Sequence, residues 1–112
     1  MPGVNKVVLV GNLGKTPELK KADNGETYVR TSLATNERRK KRSGGWEDHA
    51  EWHQLVFFGK TAETLSRYCK KGKLIYVEGR LQTQKWEDEE GITRWSTNIL
   101  CSKMVMFGKK EE

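Results

Sequence analysis

The fold is decided by residues 52–72, which read WHQLVFFG and then KTAETLSRYCKKG. Alternation of apolar and polar residues predicts a β-strand from His49 to Phe58, which Gly59 ends. The pattern then becomes helical from Thr61 to Lys71, about three turns, with Gly72 as the C-cap. The apolar side of this helix consists of Ala62, Leu65 and Cys69. A strand that leads directly into a short amphipathic helix is therefore the centre of the predicted fold.

Four further strands flank this centre. Alternating apolar patterns predict them at Val4–Val10, Glu26–Thr35, Leu74–Trp86 and Arg94–Phe107. The order of elements is then three strands, one helix and two strands. This order predicts an all-β protein, a five-stranded OB-fold Greek-key barrel with one helix between strands three and four. An SH3-like barrel is the main structural alternative, but that fold has no reason to carry such a helix.

The chain is long enough for one domain with a thin core. It has 112 residues, of which 35% are hydrophobic, and a monomer of this size leaves roughly a third of its unfolded-chain surface exposed. Association with further copies is therefore expected. No apolar run reaches the ~18 residues of a membrane span, and the N-terminus shows no signal-peptide pattern, so a cytoplasmic location is expected. Cys69 and Cys101 fit no metal-binding spacing and are expected to be free thiols.

Three stretches resemble catalytic or metal-binding motifs, and each fails on a specific requirement. The segment Gly11–Thr16 ends like a phosphate-binding loop, but Leu9 occupies the position of the first glycine. His49 and His53 share one face of a strand, and no third ligand follows at a metal-binding spacing. The acidic run at 87–90 lies in a turn, where consecutive carboxylates point in different directions. The sequence therefore predicts no enzyme, no cofactor and no metal site.

Positive charge points towards nucleic acid. The formal net charge is +6 and the sequence pI is about 9.4, above the threshold of ~9 that is typical of nucleic-acid-binding domains. Five consecutive cations, Arg38–Arg42, stand between strands two and three. Such a run is either a solvated hairpin tip or a site for phosphates, which are the commonest anionic partner.

Exposed aromatic rings supply a second indication. If Leu55 points into the barrel, the alternation places Trp52, Val56 and Phe58 on the outside. Trp86 stands at the far end of strand four. Stacked bases would explain why large rings are exposed, and a subunit contact that covers them is the alternative.

Eight motifs resemble the bacterial single-stranded DNA-binding protein family, in its order and spacing. They are GVNKVVLVGNLG (3–14), PE (17–18), SLAT (32–35), EWH (51–53), FGK (58–60), YCKKG (68–72), VEG (77–79) and KW (85–86). The resemblance implies an OB-fold homotetramer that binds single-stranded DNA without sequence preference, in DNA replication, recombination and repair. It also implies base stacking at Trp52, Phe58 and Trp86.

The chain departs from the family's pattern in the hairpin and on the sheet. Relatives often have a tryptophan where this chain has Arg38, while its own Trp46 lies late in the same hairpin. Several relatives carry arginines at the positions of Gln54, Gln82 and Gln84, so that positive charge moves from the sheet into the hairpin.

The resemblance also bears on domain organisation. Residues 1–108 are expected to form one OB-fold domain for DNA binding and oligomerisation, followed by a short charged C-terminal end at 109–112. Family members usually continue into a long linker and an acidic tail that recruits repair and replication enzymes. Such tail-dependent enzymes are therefore not expected to be partners of this chain.

The sequence thus predicts a non-catalytic protein that coats single-stranded DNA in the bacterial cytoplasm, in association with the nucleoid. Bases would stack on the three rings named above, and His53 with part of strand one is a candidate for the subunit interface. The phosphate-binding side chains are expected to be Lys6, Arg38, Arg39, Lys40, Lys41, Arg42, Lys60, Lys71 and Lys85. The main functional alternative is a replication or restart adaptor that binds protein partners and DNA only weakly. An RNA-binding OB-fold of the cold-shock kind is a second.

Overall fold

A computed structural model describes residues 2–108. Its strands and helix are β1 (Val7–Leu13), β2 (Lys20–Lys21), β3 (Thr27–Lys40), β4 (Trp46–Phe58), α1 (Gly59–Tyr68), β5 (Leu74–Glu87) and β6 (Thr93–Met106). The five long strands and the helix after β4 confirm the predicted OB-fold, and β2 is a short addition that pairs with β3. The predicted charged end at 109–112 lies outside the described residues.

The sheet closes into a barrel because β1 pairs with two strands. Residues 7–12 of β1 pair with β5, and its last two residues also pair with β3. On the opposite side, β4 and β6 form a short parallel ladder. Gly11 permits the closure, since a Cβ at this position would collide with the backbone carbonyl of Ala34.

The core lies inside this barrel and extends to α1, which packs against β3, β4 and β6. The inward face of β3 consists of Val29, Thr31 and Leu33, which are at most 1% exposed. The helix buries Ala62 and Leu65 on the apolar side expected from its sequence. Both cysteines are buried thiols, as predicted. The cluster of buried core residues includes Val29, Leu33, Leu55, Phe57, Ala62, Leu65, Cys69, Ile75 and Val77.

The predicted bounds of the first strand are wrong by three residues at both ends. The strand runs to Leu13 rather than ending at Val10, because residues 11–13 continue the ladders with β5 and β3. Leu13 is 2% exposed and belongs to the core. The glycine at position 11 therefore serves a close approach of two strands, whereas its sequence context predicts a turn.

The predicted end of the helix is also wrong. The helix ends at Tyr68, and Cys69 is its C-cap with an extended backbone (φ −122°, ψ 147°). The three residues that follow turn away because tertiary contacts hold them: the N–H of Lys71 donates to Thr16 Oγ1 (3.1 Å), and the N–H of Gly72 donates to the carbonyl of Leu13 (2.7 Å). Gly72, with φ 92°, thus forms the turn into β5 instead of the helix cap.

Two hairpins extend beyond the barrel. We call residues 36–51 the β3–β4 arm and residues 82–97 the β5–β6 arm, and their cross-strand pairing continues to Lys40–Trp46 and Glu87–Thr93 respectively. The radius of gyration is 16.3 Å, compared with about 13 Å expected for a compact domain of this length.

The prediction that all five cations lie between strands is wrong, since Arg38 to Lys40 belong to β3.

The helical part of the described chain is short. No helix within residues 2–108 is long and apolar enough to cross a membrane.

Candidate nucleic-acid interface

Two of the predicted stacking rings lie on the outer face of β4. Trp52 is 53% exposed and Phe58 is 41% exposed, whereas Phe57 between them in sequence is fully buried. Because the two rings are six residues apart on one strand, they lie roughly 20 Å apart along it. This register places two rings on one surface, at a distance that several nucleotides of a single strand could span.

Trp52 rests on the neighbouring backbone. A Cβ at Gly14 would overlap the Trp52 ring and the Ser32 hydroxyl, so the ring lies directly against this glycine. Its Cα partner on β3 is Ala34, which is only 6% exposed. One side of the ring is therefore supported while about half of the side chain remains open to solvent.

Phe58 is held by a change of secondary structure. It is the last residue of β4 and the N-cap of α1, with an extended backbone (φ −127°, ψ 154°). Its Cα partner on β3 is Tyr28, whose ring lies beneath the guanidinium of Arg30, 6.0 Å from the ring centre. The predicted exposure of Val56 is wrong: this residue is 3% exposed, and its Cα partners Arg30 on β3 and Leu100 on β6 place a long side chain on each side of it.

Trp86 lies on the β5–β6 arm, 50% exposed, with Arg94 as its Cα partner. Its neighbour Lys85 points to the opposite face of the strand, where the Cα partner is Trp95, 65% exposed. The arm thus carries an indole on each face. Lys85, predicted to bind phosphate, and Trp86, predicted to stack on a base, thus lie on opposite faces of the arm.

The cations of the β3–β4 arm differ in how far other groups neutralise them. Arg38 lies 3.9 Å from the Asp48 carboxylate and over the Trp46 ring, 5.8 Å from its centre. Arg39 lies 3.0 Å from the carboxylate of Glu37. Lys40, Lys41 and Arg42 are exposed and form no ion pair with any residue of the described chain. The last three are therefore the best placed to bind an external anion.

The other predicted phosphate-binding side chains are scattered. Lys6 is engaged with Glu78 at 3.5 Å, on the β1–β5 side of the barrel. Lys60 stands at the start of α1 beside a cavity of about 160 Å³, and Lys71 is exposed in the turn before β5. These side chains do not form one cluster with the β3–β4 arm.

His53 is half-buried. Its Nε2 lies 2.9 Å from the hydroxyl of Thr35 on the neighbouring strand. His49 lies 3.4 Å from Glu51. Among residues 2–108, no group of three His, Cys, Asp or Glu side chains is arranged to hold a metal ion. The part of His53 in a subunit interface stays a prediction.

The acidic stretch forms a turn, as predicted, and Asp88 organises it. The Asp88 carboxylate accepts hydrogen bonds from the N–H groups of Ile92 and Glu90, both at 2.9 Å, and from Arg94 at 3.0 Å. The bond from Ile92, together with Arg94 and Glu90, lowers the pKa of Asp88 below its ordinary value. The turn is thus held by a side chain of its own.

Sequence reasoning left Trp46 without a place on the sheet and did not assign Arg30 to the site. The ring of Trp46 is 58% exposed and, by its even spacing from Trp52 along β4, lies on the same outer face. Arg30 also lies on this face and is exposed. The position of Trp46 was available in the sequence only if the strand could be extended past His49, and the role of Arg30 depends on segments that are distant in the chain.

Comparisons with known proteins agree with this geometry. Residues 4–107 match the family described as "Single-strand binding protein family". The chain is 44% identical over 110 residues to "Single-stranded DNA-binding protein 1" of Chlorobaculum tepidum, covering 97% of this chain and 68% of that protein. It is equally identical to a "Single-stranded DNA-binding protein" of Xanthomonas campestris pv. campestris, covering 98% of this chain and 64% of that one.

A solved structure is similar in fold. The structure described as "Plasmodium falciparum SSB complex with ssDNA" superposes with a TM-score of 0.84 at 27% sequence identity, over 96% of this chain and 98% of that one. The chain thus spans about two thirds of the length of the bacterial relatives and nearly all of the Plasmodium chain. Its sequence and its barrel both place it in the single-strand binding protein family.

Proposed function

We propose that this protein binds single-stranded DNA without sequence preference and without catalysis, by capturing phosphates and stacking unpaired bases. The observation that carries the proposal is the outer face of β4, where Trp52 and Phe58 are exposed in one register. The relatives named as single-stranded DNA-binding proteins and the neighbour in complex with ssDNA support it. Membership of a family of binding proteins also supports the prediction that the chain is not an enzyme.

The two parts of the mechanism have different physical origins. Lys40, Lys41 and Arg42 attract the phosphate backbone, and this attraction weakens as salt rises. Stacking on Trp52, Phe58 and Trp86 needs a free base face, which a duplex does not offer, so it selects single strands. Of the remaining basic side chains predicted from the sequence, Lys6, Arg38, Lys60, Lys71 and Lys85 contribute to the same capture. Arg39 contributes little, because Glu37 already neutralises it at 3.0 Å.

Cys101 and Glu78 have shifted pKa values, and neither shift favours acid–base catalysis. Burial raises the pKa of Cys101 to about 12, so its thiol stays protonated near neutral pH. The hydrogen bond from the Tyr76 hydroxyl lowers the pKa of Glu78, assisted by Lys6 and Lys103. That carboxylate is therefore ionised and already engaged, and neither group is poised to exchange a proton with a substrate.

A homotetramer is the assembly that fits the exposed β1 side of the barrel. Along residues 7–11, β1 pairs with β5 on one edge and has no strand partner on the other among the described residues. Val8, Val10 and Val105 are each exposed by 42% to 51% on the adjoining outer face. An open edge beside an apolar patch is a site for a second copy. We place the subunit contacts at β1 and His53, with action in the cytoplasm during replication, recombination and repair.

Light scattering tests the assembly. At micromolar concentration the mass should be four times that of one chain, and Val8→Asp should lower it because a charge would enter the contact. A wild-type chain that remained a monomer at this concentration would contradict the proposed assembly.

A titration of tryptophan fluorescence tests the binding itself. Oligo-dT should quench the fluorescence with far higher affinity than duplex DNA of the same length, because only the single strand offers free bases. A matched RNA oligonucleotide distinguishes an RNA-binding OB-fold. Equal affinity for duplex and single strand, or a clear preference for RNA, would overturn the proposed function.

A further inference from the structure

A basic cleft lies beside Phe58, formed by side chains outside the set predicted from the sequence. The cleft has a volume of about 470 Å³ and is lined by Lys15, Thr16, Glu18, Lys20 and Arg30. Its walls are the segment that joins β1 to β2, β2 itself, and the outer face of β3. Three cations face one carboxylate, so the cleft is positively charged.

The cations of the cleft are not neutralised by the rest of the described chain. Lys15, Lys20 and Arg30 are exposed, and none forms an ion pair with a residue in the range 2–108. The connecting segment is nevertheless fixed, since the Thr31 hydroxyl donates to the carbonyl of Lys15 (3.4 Å). Like charges held close together repel one another, and an anion between them removes this cost.

Strand register makes the cleft continuous with the stacking surface. Lys20 is the Cα partner of Tyr28, and Tyr28 is the Cα partner of Phe58. Cross-strand partners point to the same face of a sheet, so these three side chains form one row across β2, β3 and β4. The cleft therefore opens beside the ring on which a base is proposed to stack.

Arg30 links this row to the second ring. It lies on β3 between the partners of the two stacking residues, Tyr28 opposite Phe58 and Ala34 opposite Trp52. On the outer face between these two rows, the described strands β3 and β4 carry no cation other than Arg30. A single strand that runs from one ring to the other must pass its guanidinium.

We propose that this cleft binds the phosphate backbone of the single strand where it passes Phe58. The inference rests on the proposed function and adds a specific backbone site to it, with Arg30 and Lys20 as the principal contacts and Lys15 at the rim. Glu18 weakens the site, since its carboxylate repels a phosphate at the same rim.

Neighbouring residues of opposite orientation provide the test. Lys20→Gln removes a charge from the cleft, and Lys21→Gln removes the same charge from the other face of β2, where its Cα partner is Thr27. The affinity for oligo-dT is measured at several salt concentrations. Lys20→Gln should flatten the plot of log affinity against log salt by about 0.7, the value for one phosphate on a single strand. Lys21→Gln should leave the slope unchanged.

Two further variants sharpen the result. Removing all three cations, Lys15→Gln, Lys20→Gln and Arg30→Gln, should flatten the slope by about 2. Glu18→Gln should strengthen binding, an effect opposite in sign to that of the lysine variant. Thermal unfolding should be unchanged because these side chains are exposed, and the single variants keep the test decisive if the triple variant unfolds.

The outcomes separate failure of the cleft from failure of the function. A wild-type protein that does not bind oligo-dT would overturn the proposed function and the cleft with it. Wild-type affinity and slope in Lys20→Gln and in the folded triple variant would overturn the cleft alone. If the triple variant kept its DNA affinity but lost binding to a peptide rich in Asp and Glu, the cleft would be a protein site and the proposal wrong.

Discussion

The two arms of the molecule have the same architecture and opposite electrostatics. Residues 37–48 of the β3–β4 arm contain five cations and three carboxylates, whereas residues 85–94 of the β5–β6 arm contain two cations and four carboxylates. The β3–β4 arm nevertheless carries one tryptophan, Trp46, and the β5–β6 arm carries two, Trp86 and Trp95, and all three are at least half exposed. The presence of exposed aromatic rings therefore does not depend on the net charge of an arm. On the proposed function, the β3–β4 arm would combine phosphate attraction with stacking, while the β5–β6 arm would depend mainly on stacking.

The largest effect should come from the rings themselves. Stacking on one ring is worth ~1–3 kcal/mol by alanine substitution, so Trp52→Ala, Phe58→Ala and Trp86→Ala should each weaken oligo-dT binding by about 5- to 150-fold. Quenching or anisotropy titrations measure this change. If Trp86→Ala has no effect while Trp52→Ala does, the β5–β6 arm takes no part in stacking.

Phe57 is the control for this series. It is fully buried, so Phe57→Ala should lower the free energy of unfolding by ~3–5 kcal/mol and leave the binding of the folded fraction unchanged. The ring variants should show the reverse pattern. A loss of binding at unchanged stability in Phe57→Ala would mean that the faces of β4 are inverted.

Charge at the tip should give the next largest effect. Replacing Lys40, Lys41 and Arg42 by glutamine should flatten the salt dependence of log affinity by about 2, since each phosphate contributes roughly 0.7. Arg39→Gln is the matched control within the same arm, because Glu37 already neutralises Arg39 at 3.0 Å. An unchanged slope in the triple variant would mean that residues 40–42 are solvated and do not contact phosphate.

A smaller effect should distinguish the two remaining tryptophans. Trp46 shares the outer face of Trp52, so Trp46→Ala should weaken binding by about 5-fold, the lower end of the stacking range. Trp95 lies on the face of the β5–β6 arm opposite to Trp86, so Trp95→Ala should leave binding unchanged. Equal losses in the two variants would show that both faces of the second arm contact DNA.

The smallest effect concerns the turns at the ends of the arms. The lowered pKa of Asp88 means that its contribution is complete above the ordinary value of 3.8 and is lost as the pH falls through the lower folded-state value. Hydrogen exchange at residues 88–92 should therefore accelerate below about pH 4, and Asp88→Asn should accelerate it at neutral pH. The turn at 41–45 has only backbone hydrogen bonds, between Lys41 and both Gly44 and Gly45, and its exchange should show no such step.

The barrel could be predicted because alternation records burial directly. Val29, Leu33, Leu55 and Phe57 stand at the positions where a two-residue period places them inside, and all are buried. The ends of elements could not be predicted in the same way. The helix ends at Tyr68 because Lys71 and Gly72 bond to residues near position 14, and no local signal reports such a contact.

The candidate site was predictable in part for the same reason. Exposure of Trp52 and Phe58 follows from the strand period, and both are exposed. β3 extends to Lys40 because its last residues pair with β4. In the sequence alone, this charged stretch looks like a loop. The basic cleft gathers Lys15, Lys20 and Arg30 from three separate segments, so only the folded chain reveals it.

The contact between Trp52 and Gly14 bears on the kinetics of binding. The indole is already held against the backbone in the free protein, so little rotamer freedom remains to be lost when a base arrives, a cost that is ~0.5–1.5 kcal/mol for a mobile side chain. The association rate of single-stranded DNA should then be governed by diffusion and by attraction to the cations of the β3–β4 arm. The strength of stacking on Trp52 should therefore change the dissociation rate of the bound strand rather than its association rate.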